Sequence, residues 1–149
     1  MDVETLTRLR REIAQDEGCR YEIYLDHLKL PTLGIGHLVK NCEAESGQPI
    51  GTPISSDRVN ELFKRDLENC IDDCRALFDH FDELPEEVQA VIANMAFNLG
   101  RTRLSKFKNF IAAVERHDWQ NAAAEMHDSK WRQQVPARAG RLIRRIRAL

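Results

Sequence analysis

No stretch of this 149-residue chain is apolar enough for long enough to cross a membrane, and the first twelve residues, MDVETLTRLRRE, hold no apolar run. Neither a membrane span nor a cleavable secretion signal is expected, so the chain reads as one made in a cytoplasm with no visible device for exporting itself. Its four cysteines, Cys19, Cys42, Cys70 and Cys74, include no C-x-x-C pair. Without a secretion signal an even count is a weak argument for disulfides, and Cys70 and Cys74 read as core thiols on one helical stripe. Five histidines show no H-E-x-x-H or comparable spacing, so no metal and no other cofactor is expected. Internal repeats and low-complexity tracts are missing too. The length fits about one domain with a real core.

A large net charge is also lacking, since the balance is −2, but the signs are segregated. Residues 1–100 carry 10 basic and 20 acidic side chains, whereas residues 101–149 carry 12 and 4. The basic end could draw in an anionic partner, with salt weakening the attraction. Equally, Arg141, Arg144, Arg145 and Arg147 could only solvate a terminal helix and pair with the acidic part. Nucleic acid is not expected as the partner, because no recognition motif is visible and the first hundred residues are acidic.

What is present centres on Asp16–Leu38, DEGCRYEIYLDHLKLPTLGIGHL. Leu6, Leu9, Ile13 and Glu17 recur at helical spacing, so Glu17 shares the inward face at the last position, with Gly18 following as a helix stop. Partial burial and the negative helix end would both favour the protonated carboxyl that a general acid needs. A solvated glutamate at a frayed helix end is the plain alternative. The period then changes: Tyr21, Ile23 and Leu25 alternate with Glu22, Tyr24 and Asp26 as in a strand. A second strand is expected between Leu30-Pro31 and the Gly34/Gly36 pair. Thr32, Gly34, Gly36 and Leu38 would share one face, and Leu33, Ile35, His37 and Val39 the other. Two glycines on one face would leave a bare wall where a ligand approaches the backbone. Asp26 falls in the turn, where it would stay solvated and ionised. Two carboxyls in contrasting environments are what glycoside hydrolysis uses.

Residues 41–53 read as loop, punctuated by Gly47, Pro49, Gly51 and Pro53. Ser55 is a good cap for a helix of about six turns whose apolar stripe includes Asp66. Because His37 lies on the apolar face of its strand, the two are expected to pair as a structural join; two unrelated side chains are the alternative. Leu84-Pro85-Glu86-Glu87 opens a helix, Val88 to Leu99, that is apolar nearly all round and ends at Gly100. Short helices follow, at about Arg103–Phe107, Lys108–Arg116, Trp119–Asp128, Lys130–Gln134 and Pro136–Ala148. Trp119 and Trp131 are expected to pack among them.

Glu17-x8-Asp26-x5-Thr32, set in DEG…Y-x-D…T-x-G-x-G-H, resembles the signature of the bacteriophage-type lysozymes, the T-even endolysins and their relatives of glycoside hydrolase family 24. NMAFNLG (Asn94–Gly100), KFKNF (Lys106–Phe110), the region of Trp119 and SKWRQQVPARAGR (Ser129–Arg141) are similar to that family's C-terminal lobe, so the resemblance is co-linear over nearly the whole chain. It implies an α+β, mainly α, two-lobed lysozyme-like fold. A small antiparallel sheet lobe at about 15–55, a long connecting helix at about 56–78 and an all-helical C-terminal lobe at about 79–149, joined by helix 3–17, would form one catalytic domain. It implies hydrolysis of the β-1,4 bond between N-acetylmuramic acid and N-acetylglucosamine in peptidoglycan, by inversion. Glu17 would be the general acid, with Asp26 and Thr32 positioning water. Leu38 and Phe97 would line the substrate cleft, with a core role as the alternative for each. Arg138 would orient Glu17, and an arginine there opposes the effect of burial. A secondary sugar-stacking role falls to Trp131. The resemblance further implies a monomer, without membrane insertion, that is held in the host cytoplasm until a separate holin releases it to the periplasmic wall. A lytic transglycosylase acting on the same bond is the enzymatic alternative, and a catalytically silent structural or binding relative is the other.

Overall fold

The structure, a computed structural model, describes residues 1–149. Asp2 starts the first helix, its Oδ1 accepting from the Thr5 amide at 2.7 Å, and α1 runs Val3–Glu17. A three-stranded antiparallel sheet follows in the order β1 (Arg20–Leu25), β2 (Pro31–Gly34) and β3 (His37–Leu38). The helix α2 (Ser56–Leu77) is capped by Ser55, whose Oγ accepts from the Arg58 amide at 3.2 Å. A 3-10 turn at Phe81–Glu83 leads to α3 (Glu86–Leu104), α4 (Lys108–Glu115), α5 (Trp119–His127), α6 (Lys130–Gln134) and α7 (Pro136–Arg147). The protein is thus mainly helical with one small sheet, the α+β class expected. No helix is long and apolar enough to cross a membrane.

Contacts divide the chain into two compact units, Arg10–Asn69 and Met1–Leu9 with Cys70–Leu149; α1 and α2 each contribute to both. The smaller unit packs Ile13, Ile23, Leu33, Val59 and Leu62, all essentially inaccessible. The helical unit is built on α3. Its residues Val88, Ala90, Val91, Ile92, Ala93 and Met95 are fully buried, as the continuous apolar run requires. Within this unit α4 packs on α5, α5 on α7, and α7 on α3. Cys70 and Cys74 lie in its core as free thiols, while Cys19 and Cys42 are exposed.

The expected second strand is a hairpin. Gly34 and Gly36 have φ of 57° and 65°, which turns the chain after Gly34 and sends it back as β3, so Thr32 faces Leu38 and Leu33 faces His37. Alternation along one strand therefore fails beyond Gly34. The bare wall is corrected as well: Gly34 is buried, and a Cβ there would stand 2.9 Å from Val59 Cγ1. Gly100 does interrupt α3, with φ 74° and ψ 161°. The helical turn expected at Arg103–Phe107 instead occupies the residues directly after that kink, up to Leu104. Trp131 is only 2% exposed and donates from Nε1 to Asn98 Oδ1 at 2.8 Å. Its ring faces have no room for a sugar, so stacking is excluded and packing is its role.

Gly34→Ala should cost about 2 kcal/mol or more, through the left-handed backbone and the collision with Val59. A urea midpoint unchanged from wild type would contradict this packing.

Candidate active site

Glu17 closes α1, and Gly18, at φ 74°, turns the chain straight into β1. The Glu17 side chain is half-buried and lies against the hairpin turn. A Cβ on Gly36 would come within 3.1 Å of Glu17 Oε2, so the missing side chain is what lets the carboxyl approach that backbone.

Asp26 follows β1 in a tight turn. Its amide donates to Leu30 O at 3.0 Å and its carbonyl accepts from Lys29 N at 2.9 Å, with Lys29 at φ 60°. Asp26 Oδ1 accepts from the amides of both Leu28, at 2.8 Å, and Leu30, at 2.9 Å. This aspartate is therefore not simply solvated. Two backbone donors fix one oxygen, and Oδ2 is left without a partner. Thr32 is 3% exposed, and its hydroxyl donates to Leu30 O at 3.0 Å. That hydroxyl retains only lone pairs for another partner.

Tyr24 and Thr32 are directly paired across β1 and β2, and Thr32 and Leu38 across β2 and β3. Directly opposed residues share a face, so Tyr24, Thr32 and Leu38 form one row, with Leu38 47% exposed at its end. Leu33 and His37 pair on the opposite, buried face.

That buried face is fastened by charge. His37 Nδ1 lies 2.6 Å from Asp66 Oδ2 on α2, and Nε2 lies 2.9 Å from Glu43 Oε2. Glu43 also accepts from the Lys40 amide at 2.9 Å and from Arg65. Burial pushes the His37 imidazole down, but its hydrogen bonds to Asp66 and Glu43 outweigh this and hold it above its ordinary value. Burial would raise Glu43; its bonds to His37, the Lys40 amide and Arg65 prevail and lower it to about 2. Glu43 carries no periodic signal in the sequence because it sits in an aperiodic loop. The remaining candidates lie in the helical unit. Phe97 is half-buried on α3, and Arg138 is buried on α7 with Nε on Asn94 Oδ1 at 2.8 Å and Nη2 on Asn94 O at 3.0 Å. No group of three histidine, cysteine or carboxylate side chains is gathered to hold a metal ion.

The family model for phage lysozyme matches residues 14–148. The chain belongs to the phage lysozyme family. It is 31% identical to the probable T4-type lysozyme 2 of Dictyostelium discoideum, over 93% of this chain and 92% of that protein. It is 29% identical to the endolysin of Salmonella phage P22, over 74% of this chain and 75% of that one. It is also 30% identical, over 87% of its length, to the pre-baseplate central spike protein Gp5 of Enterobacteria phage T4, of which the match covers 26%. Glu17 at the end of α1, Asp26 in the turn after β1 and Thr32 on β2 all belong to the unit Arg10–Asn69.

The His37 cluster sets a pH window. The raised histidine contributes fully below its ordinary value of 6.5 and loses that contribution as pH rises through the elevated value. Glu43, held low, contributes fully above its ordinary value of 4.5 and loses it as pH falls toward about 2. His37→Asn should therefore cost most between these values, about 2–3 kcal/mol in urea unfolding, and less on either side. Its effect and that of Glu43→Gln should be non-additive by about 1 kcal/mol or more. A pH-independent, additive loss would contradict the cluster.

Proposed function

We propose that this chain is a peptidoglycan hydrolase of the endolysin type, a muramidase that cleaves the β-1,4 bond between N-acetylmuramic acid and N-acetylglucosamine. The observation that carries the reading is the fixed geometry of Asp26, one oxygen clamped by two amides and the other free, on the same small unit as Glu17 and Thr32.

In this reading Glu17 is the general acid and gives its proton to the departing glycosidic oxygen. The nucleophilic water donates one hydrogen to Asp26 Oδ2 and the other to Thr32 Oγ1, whose own proton is spent on Leu30 O. Both hydrogens are then accepted, and the remaining lone pair is free to attack the anomeric carbon. Asp26 takes the proton released as the new bond forms, and the product carries the inverted configuration. A transglycosylase needs no group to activate water; the clamped Asp26 favours hydrolysis over that chemistry. Leu38 is read as a substrate contact, a reading supported by its exposure at the end of the Tyr24–Thr32 row. Phe97 and Arg138 are retained as a substrate contact and an orienting residue on the strength of the family resemblance. We place the protein as a monomer in the host cytoplasm, reaching the periplasmic wall once a separate holin opens the membrane.

Glu17→Gln and Asp26→Asn should each keep the wild-type circular dichroism spectrum and lower the clearing of outer-membrane-permeabilised Gram-negative cells by about a hundredfold or more. Substantial lysis by folded Glu17→Gln would remove it as the acid. Absence of lysis by the wild type would favour a silent relative instead. Gly36→Ala, by pushing on the Glu17 carboxyl, should lower activity more than its strain of about 1–2 kcal/mol lowers stability.

A further inference from the structure

Arg20 opens β1 with its side chain 53% exposed. Its guanidinium carbon stands 4.4 Å from the centroid of the Tyr24 ring, and Nη2 donates to Glu22 Oε1 at 2.5 Å. The ring on one side and the carboxylate on another hold a head group that would otherwise move freely at the surface. They also place it. Tyr24 is paired across the strands with Thr32, and Thr32 with Leu38, so a cation held on the Tyr24 ring stands beside the row that carries Thr32. Glu22 engages only Nη2 of the fork, and the N–H groups on Nε and Nη1 make no hydrogen bond within the protein. Asp26, in the turn two residues after Tyr24, brings negative charge to this part of the sheet. Arg20 supplies the charge that an anionic chain needs in order to approach it.

We propose that Arg20 is a specificity residue: its free N–H groups bind a carboxylate borne by the muramic residue, on its lactyl group or on the peptide attached there, and so set which sugar of the strand stands at Thr32 and Asp26. The proposal rests on the reading of the chain as a muramidase. The two sugars of a peptidoglycan strand alternate through the same β-1,4 linkage and differ at the lactyl substituent. N-acetylglucosamine carries no ionisable group, whereas the muramic residue carries a carboxylate directly or through its peptide. A site that read the sugar ring alone would cut beside either one. A fixed cation distinguishes them, and a planar fork suits a carboxylate because it offers two parallel hydrogen bonds. Glu22 leaves that edge of the fork unused and keeps it in one orientation.

The test is turnover by wild type, Arg20→Gln and Arg20→Lys of soluble peptidoglycan strands, of strands stripped of peptide, and of both after their carboxyls are converted to amides. Arg20→Gln should keep the wild-type thermal midpoint. Its kcat/KM should fall about tenfold on acidic strands and stay within about twofold of wild type on amidated ones, with Arg20→Lys in between. A loss confined to peptide-bearing strands assigns the carboxylate to the peptide, and a loss on stripped strands assigns it to the lactyl group. No loss, or an equal loss on acidic and amidated strands, overturns the proposal. So does full recovery in Arg20→Gln/Glu22→Gln, which would trace the loss to a liberated Glu22 carboxylate. Wild type that leaves peptidoglycan intact refutes the hydrolase reading, and binding of the same strands, followed by titration calorimetry, then decides alone. Arg20→Gln should weaken binding of acidic strands about tenfold and leave that of amidated strands unchanged; equal affinity for wild type and variant overturns the contact.

Discussion

A histidine buried between two carboxylates holds this site in place. His37 sits on β3, Asp66 on α2 and Glu43 in the loop between them, so one imidazole ties the hairpin to a helix on one side and to a loop on the other. A buried cluster of this kind costs desolvation, and it is stable only with every donor and acceptor matched. Here both ring nitrogens have partners, and Glu43 is further satisfied by Arg65 and the Lys40 amide. The return is a fixed register for four short-strand residues that would otherwise be too few to define one.

That register divides the work between two faces. Leu33 and His37 look inward and fasten the hairpin; Tyr24, Thr32 and Leu38 form the other face. Both hairpin glycines serve close approach. Gly34 lets the strand lie on Val59, and Gly36 lets the chain lie against the Glu17 carboxyl. The Asp26 turn completes the face by using backbone amides, which do not depend on side-chain conformations, to aim a carboxylate. Precision in a three-stranded sheet therefore comes from backbone geometry and one buried ion cluster, with little contribution from sheet size.

The helices were legible because their signals are local: the Ser55 cap, the apolar run after Pro85 and the break at Gly100 need only neighbours within a few residues. The His37–Asp66 contact was legible as well, since each was a polar residue on an apolar face and the two anomalies resolve each other. Glu43, its third member, was not, because a loop acid carries no periodic signal and its burial is created by the tertiary fold. The hairpin looks like one strand in the sequence because T-x-G-x-G-H has the period of a strand, whereas the glycines' positive φ angles decide the path. Asp26 stands out in the sequence only as a candidate, by its spacing, and the clamp on its Oδ1 is invisible there: it is made by amides, which every sequence has.

The central claim is that Asp26 and Thr32 hold a water for direct attack. It is tested most directly by proton NMR of the reducing ends released from peptidoglycan strands, recorded before they mutarotate. Attack by a water held opposite the leaving group gives the α-anomer as the first product. A β-anomer as the first product would mean a covalent or substrate-assisted route, and a 1,6-anhydro end would mean that no water attacks at all; either result would contradict the account.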